Sequence, residues 1–202
     1  MSIGTIYTAS TPGYDRKPLV KHDEPDVVLE VRKPPEGVNG VRWNREQKII
    51  LPPQDCTWSV YLDGSLSPKG PIRGRVEKWL EASDMALFIH PWRTCVYAEI
   101  DECVLRKKIT ASEGEKARSM LQLAGFPRDY GLWACGMIAR RTRSNALQNW
   151  IAPLWNELTQ QLPRDQIWLP YVLWKFKGAR ERVFTIEKNI YKDSMLSFRR
   201  HG

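Results

Sequence analysis

No stretch of this 202-residue chain holds the roughly twenty consecutive apolar residues that a membrane-crossing helix needs. Its first thirty residues carry no apolar core behind a basic start, so they do not read as a secretory signal. These two absences predict a soluble, cytoplasmic protein without a membrane span. Cysteine is scarce: Cys56, Cys95, Cys103 and Cys135 include no C-x-x-C pair and no metal-finger spacing. Cys95 and Cys103 fall on one predicted helix, over two turns or about 12 Å apart, too far for a disulfide within it. Reduced, mostly buried thiols are expected. No internal repeat and no low-complexity segment appears, which argues against a stacked-repeat array.

What is there suits one folded domain. Hydrophobic residues make up 42% and charged residues 27%, inside the globular range. A chain of this size buries enough apolar surface to fold without disulfide or metal staples. We expect a single domain over residues 1–186 and a basic tail over 187–202. The net charge of +8 favours a phosphate-bearing or polyanionic partner, although such an excess can also serve solubility alone.

Residues Thr5 to Ala9 and Val27 to Val31 read as strands, the first followed by a turn at Thr11-Pro12-Gly13-Tyr14-Asp15. A short helix is predicted from Asn44, as its cap, to Leu51, ended by Pro52-Pro53. Trp58 to Leu62, Met85 to Ile89, Leu132 to Ala139 and Val183 to Ile186 read as further strands. Helices are predicted over Ile72–Ala82, Arg93–Lys107, Glu113–Ala124, Asn145–Leu162 and Asp165–Phe176, with Pro153 and Pro170 as kinks or boundaries. Strands alternating with helices predict an α/β fold, a mixed, mostly parallel sheet with helices on both faces. Ligands of such sheets sit beyond the carboxyl ends of the strands.

Three polar clusters fall at those ends: Thr8 to Asp15, Asp63 to Ser65, and His90 to Arg93. Tyr61-Leu62 runs into Asp63-Gly64-Ser65, which leaves a carboxylate at a strand tip beside a residue without a side chain. That suits a hard divalent cation, Mg²⁺ or Mn²⁺, bridging a diphosphate; the plainer reading is a strand and a tight turn. Arg45 and Lys48 lie one helical turn apart and could reach a phosphate pair together, or simply form a solvated helix face. His90-Pro91-Trp92-Arg93 follows a strand, with Glu99 on the next helix, and Arg93 and Glu99 could pair with each other. Asp165 could cap its helix, or orient or deprotonate an acceptor hydroxyl. Most of the nine tryptophans are expected in the core, and some could form a stacking platform for a sugar or a base.

In this order the motifs resemble the GT-A glycosyltransferase-like domain of plant mucilage-synthesis proteins, of proteins bearing the name alkaline ceramidase, and of bacterial and viral chains. The similar stretches are Ile6-Tyr7-Thr8-Ala9, Gly13-Tyr14-Asp15, Arg45 with Lys48-Ile49 and Leu51-Pro52, Tyr61-Leu62-Asp63-Gly64-Ser65, and Ala86-Leu87-Phe88 with His90-Pro91. Arg93-Thr94-Cys95-Val96-Tyr97 with Glu99, and Arg164-Asp165-Gln166 with Tyr171-Val172-Leu173-Trp174-Lys175, complete the series. The resemblance covers residues 3–177 and implies a GT-A-like, Rossmann-like fold and a nucleotide-sugar donor, with a UDP-sugar as first choice. It implies Tyr7, Thr8 and Asp15 near the nucleotide, Arg45 and Lys48 near the diphosphate, and Asp63 at the metal, with Asp165 facing the acceptor. Gly64, Ser65, His90 and Arg93 complete the expected donor site, and Glu99 is the second candidate for a catalytic base.

Two departures matter. Ser65 stands where the second acid of a D-x-D metal signature would be, so a further ligand is needed, and His90 or His201 could supply it. The span between Asp15 and Arg45 is short, which makes for a small nucleotide pocket. For the acceptor, Arg140, Arg141, Arg143, Arg180, Arg182, Arg199 and Arg200 suggest a phosphate backbone. A hydroxymethylated base in DNA, flipped out of its stack, is the first expectation and an oligosaccharide or cell-surface glycan the second. A non-catalytic nucleic-acid-binding domain would use the same cations, and a carboxylate-pair glycosidase is the remaining reading.

Overall fold

The computed structural model describes residues 2–10, 22–142 and 145–199. Six strands form the main sheet: β1 (Gly4–Ala9), β2 (Val27–Arg32), β3 (Trp58–Leu62), β5 (Met85–Ile89), β6 (Trp133–Arg141) and β7 (Val183–Ile186). Their order across the sheet is β2-β1-β3-β6-β5-β7. The β1–β2, β1–β3 and β5–β7 pairs are parallel, whereas β6 runs antiparallel to both of its neighbours. One reversed strand among six leaves the sheet mostly parallel, as expected.

Alternating side chains send the sheet's residues into two cores. On one side Tyr7, Tyr61, Leu87, Cys135 and Ile138 pack with residues of α1 (Gly40–Ile49), α3 (Val96–Leu105), α4 (Ala111–Leu123), α5 (Ala146–Gln161) and α6 (Asp165–Lys175). On the other, Ile6, Val60, Leu62 and Phe88 meet Val76 and Leu80 of α2 (Arg73–Leu80). That second face is completed by a two-stranded antiparallel sheet, β4 (Leu66–Pro68) with β8 (Leu196–Phe198).

The start of α1 differs from expectation. Asn39, not Asn44, is the cap, its side chain accepting from the Arg42 N–H. Asn44 instead lies inside the helix, where it accepts from the Tyr61 hydroxyl and donates to the Ala9 carbonyl. The segment from His90 to Cys95 precedes α3 rather than opening it, because His90 Nδ1 accepts from the Arg93 N–H at 3.0 Å and holds a turn there. Pro153 and Pro170 lie within α5 and α6 and end neither.

The stretch expected to be a basic tail is built into the fold over its described part. Ile190, Met195 and Leu196 are buried, and β8 pairs with β4. The missed signal is a three-residue strand, too short for a readable alternation.

Candidate active site at the carboxyl edge of the sheet

Lys48 is the centre of the site. It lies on the last turn of α1 and is 1% exposed, so the expectation of a solvated face fails for it. Its ammonium stands 3.2 Å from Asp63 Oδ1 and 2.6 Å from Asp165 Oδ2, and 4.8 Å from the centroid of the Tyr61 ring. The contact to Asp165 is an ion pair. Arg45, one turn earlier, brings Nε to 3.6 Å from the other Asp165 oxygen. The helical spacing thus puts both cations on one carboxylate, as i,i+3 neighbours can.

These charges set one another's protonation. Burial works against the Lys48 ammonium, but Asp165 and Asp63 outweigh it and hold its pKa raised. Burial likewise opposes the Asp165 carboxylate, yet Arg45 and Lys48 pull its pKa down to about 2. A carboxylate so paired is a weak proton acceptor, which counts against Asp165 as a general base. Beneath it, the buried Arg140 on β6 donates to the Lys48 carbonyl at 2.8 Å and to the Tyr7 hydroxyl at 3.2 Å.

Asp63 closes β3 with its N–H donating to the Gly136 carbonyl at 2.8 Å. Its side chain is 37% exposed, the open end of the network. A Cβ at Gly136 would lie 3.4 Å from Asp63 Oδ2 and 3.3 Å from Leu66, so the bare backbone there leaves Asp63 its room.

A second cluster adjoins through α6. Gln166, next to Asp165, donates to Glu99 Oε1 at 2.9 Å. The other Glu99 oxygen accepts from Arg93 Nε at 2.6 Å and lies 3.7 Å from His90 Nε2. Arg93 reaches Glu99 because it stands in the turn before α3, where helical neighbour spacing does not apply. His90 Nδ1 accepts from the Trp92 and Arg93 amides, so its other nitrogen carries the proton and faces Glu99. Glu99 is buried and fully engaged, a structural anchor on this geometry.

Comparison of the whole fold gives a counterpart. The crystal structure of a glycosyltransferase involved in the glycosylation of the major capsid of PBCV-1 matches 96% of this chain and 91% of its own, with a TM-score of 0.51 and 10% identity. The fold is GT-A-like. The mouse xyloside xylosyltransferase 1 in its apo form matches 79% of this chain and 63% of its own, with a TM-score of 0.41 and 11% identity. No protein-family model and no curated protein sequence matches the chain.

On this GT-A-like frame the expected residues divide. Arg45, Lys48, Asp63 and Asp165 come together in one network, and His90, Arg93 and Glu99 in its neighbour. Tyr7 and Thr8 are wholly buried and line no open surface. Tyr7 is held by Arg140, lies edge-on to Tyr61 and is capped by Arg32, so it props the site from beneath. Gly64 and Ser65 are half-buried in the turn between β3 and β4. Asp15 and His201 lie outside the described residues. Sequence reading assigned Asn44 a capping role and Arg140 a phosphate-binding one and did not connect either to this site; Gln166 was legible only as part of the Arg164-Asp165-Gln166 motif.

A divalent cation here would rest on Asp63, the exposed carboxylate, with oxygens of a bound diphosphate completing its shell. His90 is unsuited as a partner through Nδ1, which already accepts two amides. Among the described residues no three His, Cys, Asp or Glu side chains gather as a ligand set.

Proposed function

We propose that the chain transfers a sugar from a nucleotide diphosphate donor, a UDP-sugar, to an acceptor hydroxyl. The observation that carries this reading is Lys48 buried between Asp63 and Asp165 at the carboxyl edge of the sheet, with Arg45 alongside. Two cations fixed by a buried carboxylate need no reorganisation to meet the charge that develops on a departing diphosphate. Asp165 is a positioning residue: it holds Arg45 and Lys48 and stays ionised. Asp63 faces outward and would hold Mn²⁺ or Mg²⁺, which when bound supplies further charge neutralisation to the diphosphate. Glu99 with Gln166, Arg93 and His90 stiffens the loop after β5 at the site's flank. The ordered motifs favour the mucilage-synthesis-like group of glycosyltransferase domains.

A hydroxymethylated DNA base and a saccharide are the acceptor classes to separate. The electrostatic case for DNA weakens in the fold, since Arg140 and Arg141 donate to backbone carbonyls, Arg182 pairs with Asp84, and Arg180 covers Trp133. The same commitments weaken the reading as a non-catalytic nucleic-acid-binding domain.

The test is a donor and acceptor screen read by mass spectrometry. UDP-sugars and other nucleotide sugars are combined with hydroxymethylated DNA, plain DNA and oligosaccharides, with and without Mn²⁺. Sugar transfer that is lost in Arg45→Ala with folding unchanged supports the reading. Absence of both nucleotide-sugar binding and turnover sinks it.

A further inference from the structure

Three exposed aromatic side chains stand together beside the site. Trp92 is 64% exposed, Phe198 43% and Tyr191 40%. Trp92 comes from the loop after β5, Tyr191 from the segment before β8, and Phe198 from β8 itself. Trp92 and Tyr191 stack with centroids 5.3 Å apart and planes 18° apart. Phe198 meets Tyr191 edge-on at 4.7 Å, and His90 backs Trp92 edge-on at 5.8 Å. Exposed apolar side chains gathered into one patch, unlike singly scattered ones, mark an interaction surface or ligand groove.

The cluster borders both halves of the site. Phe198 pairs in register with Leu66, just past the Asp63 turn, and the next residue, Arg199, donates its N–H to the Ser65 carbonyl at 2.8 Å. On the other flank, His90 links Trp92 to Glu99. The Tyr191 hydroxyl has its pKa raised by burial and then by the Asp63 and Glu99 carboxylates, with Lys48 opposing.

We propose that Trp92, Tyr191 and Phe198 form the acceptor subsite and take the C–H face of a neutral sugar ring in an oligosaccharide. This rests on the glycosyl-transfer reading above and specifies its acceptor class. A pyranose shows C–H groups on one face and hydroxyls around its rim. Aromatic faces, negative at their centres, suit the first. A phosphate chain would need free cations, and Arg141 is committed to the Leu80 carbonyl and Arg182 to Asp84. A neutral saccharide needs none.

The test uses the full chain, with tryptophan side-chain N–H signals observed by NMR. The signal missing in Trp92→Ala identifies Trp92. Cellotriose, xylotriose, mannotriose, chitotriose and a single-stranded DNA oligonucleotide are titrated separately, and UDP binding is followed by calorimetry. The expected result is that at least one trisaccharide moves the Trp92 signal and binds about tenfold more weakly to Tyr191→Ala, an aromatic contact's worth. UDP affinity should stay unchanged in Trp92→Ala. If no trisaccharide moves the Trp92 signal, or if the DNA strand alone does, the proposal is overturned. Failure of UDP to bind the wild type would count against the donor reading instead, and a trisaccharide shift would stand apart from it.

Discussion

The ammonium of Lys48 lies 2.6 Å from the carboxylate of Asp165, and both side chains are buried. Each charge is tolerable in the interior because of the other. Breaking such a pair from one side strands a charge and costs about 3–5 kcal/mol, whereas replacing both partners with apolar residues costs far less. Lys48→Met and Asp165→Asn should therefore each be strongly destabilised in urea titrations. The double variant Lys48→Met/Asp165→Leu should recover only part of the loss, because Arg45 then lacks its Asp165 partner. Single variants within about 1 kcal/mol of wild type would contradict the pairing.

Asp63 differs because it is open to water. Asp63→Asn should change folding stability by less than about 1 kcal/mol. Transfer from a nucleotide sugar should fall about a hundredfold or more, the scale of losing one electrostatic contact to a leaving group. Thermal melting paired with the mass-spectrometric assay checks both halves. Intact transfer would remove Asp63 from the donor site.

Acid should act on Asp165 late. With its pKa lowered to about 2 in the fold, below the ordinary carboxylate value near 4, its contribution is complete above the unfolded value. That contribution is lost as pH falls from about 4 toward 2. Urea midpoints followed over that window should fall more steeply for wild type than for Asp165→Asn.

His90 carries a second pH signature. Burial, ahead of the opposing pull of Glu99, lowers its pKa below the free imidazole value. The fold therefore favours the neutral ring, and its contribution is present above about pH 6.5 and lost as pH falls below that. An NMR titration of the His90 ring should show a midpoint below the free value. His90→Asn should flatten the decline in stability on the acid side.

Gly4 tests the sheet itself. A Cβ there would lie 2.1 Å from the Trp58 ring, which is buried. Gly4→Ala should destabilise by about 1–3 kcal/mol through overpacking at the β1–β3 pair. A neutral result in thermal denaturation would mean that Trp58 can turn aside.

Much of this molecule was legible in the chain. The five-residue apolar run Met85–Ile89 and the Trp58–Leu62 segment, apolar but for Ser59, read as buried strands, and both appear with those bounds. Thr110 and Glu113 form the capping box that opens α4, two residues before the predicted start. The i,i+3 spacing of Arg45 and Lys48 showed that they share a helix face, because helical geometry is local, but not that they meet on Asp165. Tyr7 and Thr8 were misplaced for a related reason: a strand shows which residues alternate but not that both of its faces are covered. Trp92, Tyr191 and Phe198 could not be connected at all, since no local rule links three distant segments.

Local periodicity and capping, being properties of neighbouring residues, determined the six strands of the main sheet, most helix limits and the mostly parallel arrangement. Only the tertiary structure decided that Lys48 would be buried between two carboxylates, that Asp63 would stay open, and that the C-terminal segment would carry aromatic rings to the site. Those outcomes depend on which side chains from remote parts of the chain exclude water together, and long-range packing leaves no spacing to read.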